Sequence, residues 1–146
     1  MKVKILCLCL LLALALLICG CATTTKIVPP FNASTPPEGR AIVYFYRPAE
    51  FVASMVAPKV FDNNNYVFAL ANGKYVEYVT NPGRHEFKTD TMNIDEPVSF
   101  AIKPDETHYL RLDYKMGTFI GTWLLTRKYP EQALEEIKFC KDGNAK

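Results

Sequence analysis

The sequence predicts an all-β domain: a small antiparallel β-sandwich of about seven to eight strands with a short C-terminal helix. Three observations carry this expectation. From Gly39 onward the chain is a series of short apolar or alternating runs, each bounded by Pro, Gly, Asn or Asp. Asn72-Gly73 and Pro82-Gly83 supply residues that tolerate the positive φ of tight turns. Only behind Pro130 does the period change, with Ala133, Leu134 and Ile137 spaced as on the apolar stripe of a helix.

The elements follow in order. Residues 40–47, RAIVYFYR, are apolar on both faces, with Ala41, Val43 and Phe45 on one side and Ile42, Tyr44 and Tyr46 on the other. That pattern suits a central strand covered on both sides, and Pro48 ends it. A less regular segment at 49–57 leads to a strand around 59–61, then the turn cluster Asp62-Asn63-Asn64-Asn65. Residues 66–71 and 74–80 flank Asn72-Gly73 and read as a hairpin with a type I′ turn. Asn81-Pro82-Gly83-Arg84 reads as a type II turn before a strand at 84–89 that turns His85 and Phe87 inward. Beyond a polar loop at 90–95, Val98, Phe100 and Ile102 share one strand face. Pro104-Asp105-Glu106 turns the chain into 107–114, where His108, Leu110, Leu112 and Tyr114 alternate with Thr107, Tyr109, Arg111 and Asp113. A last strand is expected at about 119–127. Glu131 and Lys138 then suit the two ends of the helix dipole.

Upstream of this domain the chain has a different character. Lys2 and Lys4 precede an apolar run from Ile5 to Ile18, the layout of a secretory signal peptide and too short for a bilayer-spanning helix of roughly 20 residues. Ile18-Cys19-Gly20-Cys21 resembles the lipobox of bacterial lipoprotein precursors. The resemblance implies cleavage between Gly20 and Cys21 and acylation of the Cys21 thiol, with two or more acyl chains giving a stable membrane tether. Alternatives are an ordinary secreted protein cut after Gly20, or an uncleaved anchor. Ala22, where aspartate is not found, resembles the default outer-membrane sorting signal. Residues 22–38, rich in Thr, Ser and Pro, read as a tether. The expected organisation is therefore a removed leader at 1–20, a lipidated cysteine and tether at 21–38, the sandwich at 39–140 and a tail at 141–146.

Removing the leader takes two lysines, leaving 17 − 2 = 15 basic against 15 acidic residues. A neutral chain gives no electrostatic reason to expect nucleic acid or an anionic membrane surface as a partner. Of the five cysteines, Cys7, Cys9 and Cys19 belong to the leader and Cys21 to the lipid, so Cys140 stands alone. A disulfide framework is excluded within one chain, and Cys140 reads as a partly buried small apolar residue, with an intermolecular disulfide as the alternative.

Gly39 to Pro48, GRAIVYFYRP, with Asn72-Gly73-Lys74-Tyr75, Pro82-Gly83-Arg84-His85 and Thr107-His108-Tyr109-Leu110-Arg111, resembles the bacterial lipoprotein family catalogued as domain of unknown function 2846. The resemblance implies a β-sandwich accessory domain, often lipid-anchored, with no assigned activity. The triple asparagine at 63–65 departs from the Asp-Gly turn that the family's pattern leads one to expect.

No residue pattern declares a reaction. There is no Gly-x-Ser-x-Gly elbow, no plausible Cys-His pair and no phosphate-binding loop. His85 and His108 fall on inward strand faces and read as hydrogen-bonded residues at the core's edge, with no cysteine or paired carboxylate at ligand spacing to complete a metal site. A deep pocket holding either histidine beside a carboxylate would favour a small hydrolase. Asp95-Glu96, Asp105-Glu106 and Glu135-Glu136 read as solvated surface. Aromatic residues are abundant and first of all core material. The alternative is an exposed binding surface, for which Tyr44, Tyr46, Tyr75 and Tyr109 are the candidates. Arg47 either projects into that surface or pairs with an internal carboxylate. The expectation is a lipid-anchored, periplasm-facing module, most simply in the outer membrane, that is not an enzyme and needs no cofactor or metal. Its sandwich is expected to contact an envelope protein or to play a structural part. Peptidoglycan binding is the alternative and hydrolysis the third reading.

Overall fold

The computed structural model describes residues 31–90, 97–117 and 121–144. The leader, Cys21, the first part of the tether, the Asp95-Glu96 pair and Phe119 lie outside the described residues. In chain order the elements are β1 (Ala41–Arg47), β2 (Lys59–Asp62), β3 (Asn65–Ala69), β4 (Lys74–Thr80), β5 (Gly83–Thr89), β6 (Val98–Ile102), β7 (Thr107–Lys115), β8 (Thr122–Lys128), α1 (Pro130–Ile137) and β9 (Lys141–Asp142). They form two sheets, one in the order β8-β7-β1-β4-β9 and the other β3-β2-β5-β6.

The all-β sandwich is as expected, but the larger sheet is mixed rather than purely antiparallel. β1 lies antiparallel to β4, with Phe45 opposite Val76, and parallel to β7, with Phe45 opposite Leu110. β9 adds a short parallel edge to β4. The central place of β1 follows from its two-sided hydrophobicity. Every one of its residues is buried, and a strand covered on both faces is best placed at the sheet's centre, flanked by one strand on each side.

The expected hairpin at Asn72-Gly73 does not form, because β3 and β4 belong to different sheets. Gly73 does take positive φ, +66°. It carries the chain from one sheet to the other, and Asn72 clasps the backbone of Glu50: its amide nitrogen donates to the Glu50 carbonyl at 2.8 Å and its oxygen accepts from the Glu50 N–H at 3.0 Å. The two-residue loop of positive φ lies instead at Asn63 (+47°) and Asn64 (+67°), where Asp62 pairs with Asn65 across the β2–β3 hairpin. Asparagine reaches this region because its short polar side chain can bond locally. Packing decides between the two sites: Phe68 of β3 meets Phe45 of β1 edge-to-face at 5.1 Å across the sandwich, which requires β3 to face β1 rather than extend its sheet. Likewise, Pro82-Gly83 marks a crossing between sheets, with Gly83 opening β5.

Two cores result. Between the sheets, Val43, Phe45, Leu110, Leu112, Trp123 and Leu125 meet Val60, Phe87 and Ile102. On the outer face of the larger sheet, Ile42, Tyr44, Tyr46 and Tyr109 are covered by Ala133, Ile137 and Cys140, with Phe31, Tyr75 and Val79 packed around them. Packing and pairing continue on both sides of the expected limits at 39 and 140. Phe31 packs edge-to-face on Tyr44 (5.1 Å) and Tyr75 (5.0 Å), and the expected tail supplies β9.

The turn assignment is testable. Asn64→Gly should stabilise the fold by about 0.5 kcal/mol and Asn64→Val should destabilise it by about 1–2 kcal/mol in urea unfolding, since only the latter forces a β-branched side chain into positive φ. Equal effects of the two changes would refute a type I′ turn there.

Candidate functional site

Tyr44, Tyr46, Tyr75 and Tyr109, the candidates for the alternative reading of an exposed surface, do not form one. Tyr44 and Tyr46 are 0% exposed, Arg47 2% and Tyr109 5%, and Tyr75 is half-buried. The cause is the second core: α1 and the segment from Phe31 to Ser34 cover the outer face of β1. Each buried hydroxyl is supplied with a partner, as desolvation of polar groups requires. Tyr44 accepts from the Ser34 N–H at 2.7 Å and donates to Glu77 at 2.9 Å. Tyr46 donates to Glu136 at 2.8 Å, and the other Glu136 oxygen takes Arg111 at 2.9 Å. Burial, reinforced by that carboxylate, pushes the Tyr46 hydroxyl well above its ordinary range. Glu136 is thus a fastener of α1 and not the solvated charge that its place in the sequence suggests.

Arg47 takes neither expected role. Its guanidinium donates to the carbonyls of Val56 (2.6 Å) and Ala53 (2.9 Å) and lies over the Trp123 ring at 4.3 Å. Burial lowers its pKa. The arginine thereby fixes the irregular segment that follows β1. Cys140 is 3% exposed, and burial pushes its thiol up to about 11. A thiol so enclosed and so weakly ionised is poorly placed for disulfide exchange.

The two histidines behave differently. His85 bridges Asp62 through Nδ1 (2.8 Å) and the Asn81 carbonyl through Nε2 (2.9 Å). A carbonyl and a carboxylate both only accept, so each ring nitrogen faces an acceptor. Tyr78 of the larger sheet donates to the same Asp62 carboxylate at 3.0 Å. The trio ties the two sheets together at one edge of the core.

His108 lies at the rim of a pocket of about 520 Å³ lined by residues 106–109 and 127–130. Its Nδ1 faces Arg127 Nη2 at 3.0 Å and its Nε2 faces Glu106 at 2.9 Å. Arginine only donates, so Nδ1 is the acceptor and Nε2–H points to the carboxylate. Burial, with Arg127 adding to it, lowers the His108 pKa. The Lys103 N–H and the His108 ring lower that of Glu106. Phe100 closes the cluster, edge-on to His108 at 5.0 Å and beneath Arg127 at 4.6 Å.

This is the arrangement of histidine, carboxylate and cavity that would favour a hydrolase, with the Thr107 hydroxyl group in the lining. Its chemistry is constrained, however: the imidazole lone pair that a general base would use is occupied by Arg127. What the site offers as it stands is a cationic rim of Arg127 and Lys128 beside the exposed Tyr129, suited to holding an anionic or hydrogen-bonding group. Among the described residues no group of three or more His, Cys, Asp or Glu is placed to hold a metal ion. Sequence reasoning missed Arg127, Lys128 and Tyr129, because β8 becomes a partner of the 107–109 stretch only through the β7–β8 register, in which Tyr109 faces Lys128.

The lowered His108 pKa has a definite sign. The unfolded chain takes up the His108 proton near the ordinary 6.5, whereas the fold takes it up only at lower pH. Stability from this group is present above that value and lost as pH falls through it, with Glu106 adding a further loss below its ordinary 4.5. The urea midpoint should therefore drop between about pH 7 and 5, and His108→Gln should flatten that drop. An unchanged slope in the variant would assign the loss to other groups.

No curated protein matches the chain, and no solved structure matches it. A family model does, over residues 37–123, from the end of the tether through β1 to the start of β8. The chain belongs to the family described as Protein of unknown function (DUF2846).

Proposed function

We propose that this chain is a lipid-anchored bacterial cell-envelope lipoprotein. Its β-sandwich acts as a non-catalytic protein-interaction or structural module, held by Cys21 in the outer membrane and facing the periplasm. The observation that carries the reading is the sequence Ile18-Cys19-Gly20-Cys21 behind a short apolar run, followed by a domain that is already docked at Phe31. The interior chemistry supports a non-catalytic role. Tyr44, Tyr46, Arg47, His85 and Glu136 are all engaged in fastening one element to another.

Peptidoglycan binding is the second reading, and it moves from the buried tyrosines to the pocket at Arg127, Lys128 and Tyr129. A cationic rim beside an exposed aromatic ring suits a glycan strand carrying carboxylates.

Cys21→Ser should abolish incorporation of labelled palmitate and leave the leader uncleaved, while the mature wild-type chain should begin at an acylated Cys21 by mass spectrometry. A wild-type N-terminus without lipid would overturn the anchor. Crosslinking in intact cells should then recover an envelope protein. Retention on purified sacculi that is lost in Arg127→Ala would instead favour the glycan reading.

A further inference from the structure

Among the described residues, the segment after β1 carries the most exposed apolar side chains. Phe51 is 95% exposed and Met55 96%, with Val52 and Val56 about half exposed. This is not a loose loop. Arg47 holds the carbonyls of Ala53 and Val56, the Val56 N–H donates to Ala53 at 3.1 Å, and Asn72 clasps Glu50. The turn is built rigidly, with its apolar side chains turned outward, and a phenylalanine so placed presents on the order of 150 Å² of ring and side chain to water.

Its place in the fold matters more. β1 ends there at Arg47, and β7, parallel to β1, runs past Arg111 to the same end and leads to Met116, 70% exposed. The chain returns to this end after α1, where Cys140 reaches the Arg47 carbonyl and Phe139 is 78% exposed. Among the described residues, six of the ten exposed large apolar side chains, Phe51, Val52, Met55, Val56, Met116 and Phe139, thus share one end of the sandwich. Scattered exposed apolar residues are ordinary, but a concentration of this kind marks a contact surface. Lys59 and Lys115 are exposed beside it, offset by Glu50 and Asp90, so apolar area rather than charge dominates.

The N-terminal segment points to the same end. Phe31 packs between Tyr44 and Tyr75, Ser34 reaches Tyr44, and Pro37 accepts from Arg40 at the far end of β1. Traced backward, residues 40 to 31 run toward the apolar end. Cys21 is 31 − 21 = 10 residues upstream of Phe31, a reach of at most about 36 Å.

We propose that the turn bearing Phe51, Val52, Met55 and Val56 inserts into the interfacial zone of the phospholipid leaflet that holds the Cys21 lipid. It forms a second membrane contact that sets the orientation of the sandwich. This rests on the anchor reading above. The partner is a lipid surface because the apolar end is the one the tether approaches, and an interfacial contact needs only apolar side chains set to a depth of about 5–10 Å.

The test uses the full chain purified from bacterial membranes and reconstituted in phosphatidylethanolamine and phosphatidylglycerol vesicles with brominated acyl chains. Phe51→Trp should show blue-shifted emission that falls about twofold relative to unbrominated vesicles. Tyr129→Trp, at an exposed position on the opposite end, and the unsubstituted chain with its buried Trp123 should change little. The mass of the N-terminal peptide is read from the same preparation. A lipidated Cys21 with Phe51→Trp quenched no more than Tyr129→Trp overturns the membrane contact and leaves the anchor standing. Absent lipid with Phe51→Trp still quenched supports the contact and overturns the anchor; absent lipid without quenching overturns both. A crosslink from position 51 to a protein, without quenching, assigns this end to a protein partner and overturns the proposal.

Discussion

The burial of β1 on both faces is the constraint from which the architecture follows. Its alternate residues Ala41, Val43 and Phe45 demand a second sheet, and Ile42, Tyr44 and Tyr46 demand a cover on the opposite side. A two-layer sandwich satisfies only the first demand. The second is met by α1 and the Phe31–Ser34 segment, which turn the domain locally into three layers. Because two of the outward residues are tyrosines, their hydroxyls need acceptors, which Glu136 of α1 and Glu77 of the neighbouring β4 supply. Unsatisfied, each hydroxyl would cost about 1–3 kcal/mol.

The same logic governs the other polar side chains that look reactive in the sequence. Asp62, His85 and Tyr78 join the two sheets, and Arg47 organises a loop through carbonyls and the face of Trp123. Buried polar groups in a small domain are kept because they fix relative positions, and a satisfied network of this kind favours one arrangement over its neighbours. The cluster at His108, with Arg127 reaching into it from an exposed position, keeps polar groups at an open cavity.

Much of the fold was legible because strand periodicity is a local property. The two-sided character of β1, the inward placement of His85, Phe87, His108 and Leu110, and the helix behind Pro130 all follow from alternation or spacing within one segment. Pairing is not local. Asn72-Gly73 has the composition of a hairpin turn, yet the contact of Phe68 with Phe45 across the core places its flanking strands in different sheets. The parallel partnership of β1 with β7 leaves no mark in either stretch. What covers the tyrosines is non-local in the same way: α1 and Phe31 pack on β1 from positions distant in the sequence. The cavity at His108 is a product of the β7–β8 register, so its residues could be recognised one by one but not assembled.

The parallel pairing of β1 and β7 also sets an order of events in the chain's formation. Ile42 meets Thr107 at a sequence separation of 107 − 42 = 65, a closure that is entropically costly and slow to find. Until that stretch has emerged and returned, the run AIVYFY lacks its β7 neighbour, and until α1 follows it lacks much of its outer cover. It is a six-residue segment of high β-propensity and no charge, the composition most apt to pair with a second copy. The feature that gives the finished domain its centre therefore makes the nascent chain dependent on protection from self-association, and the hazard ends only when the C-terminal third has arrived.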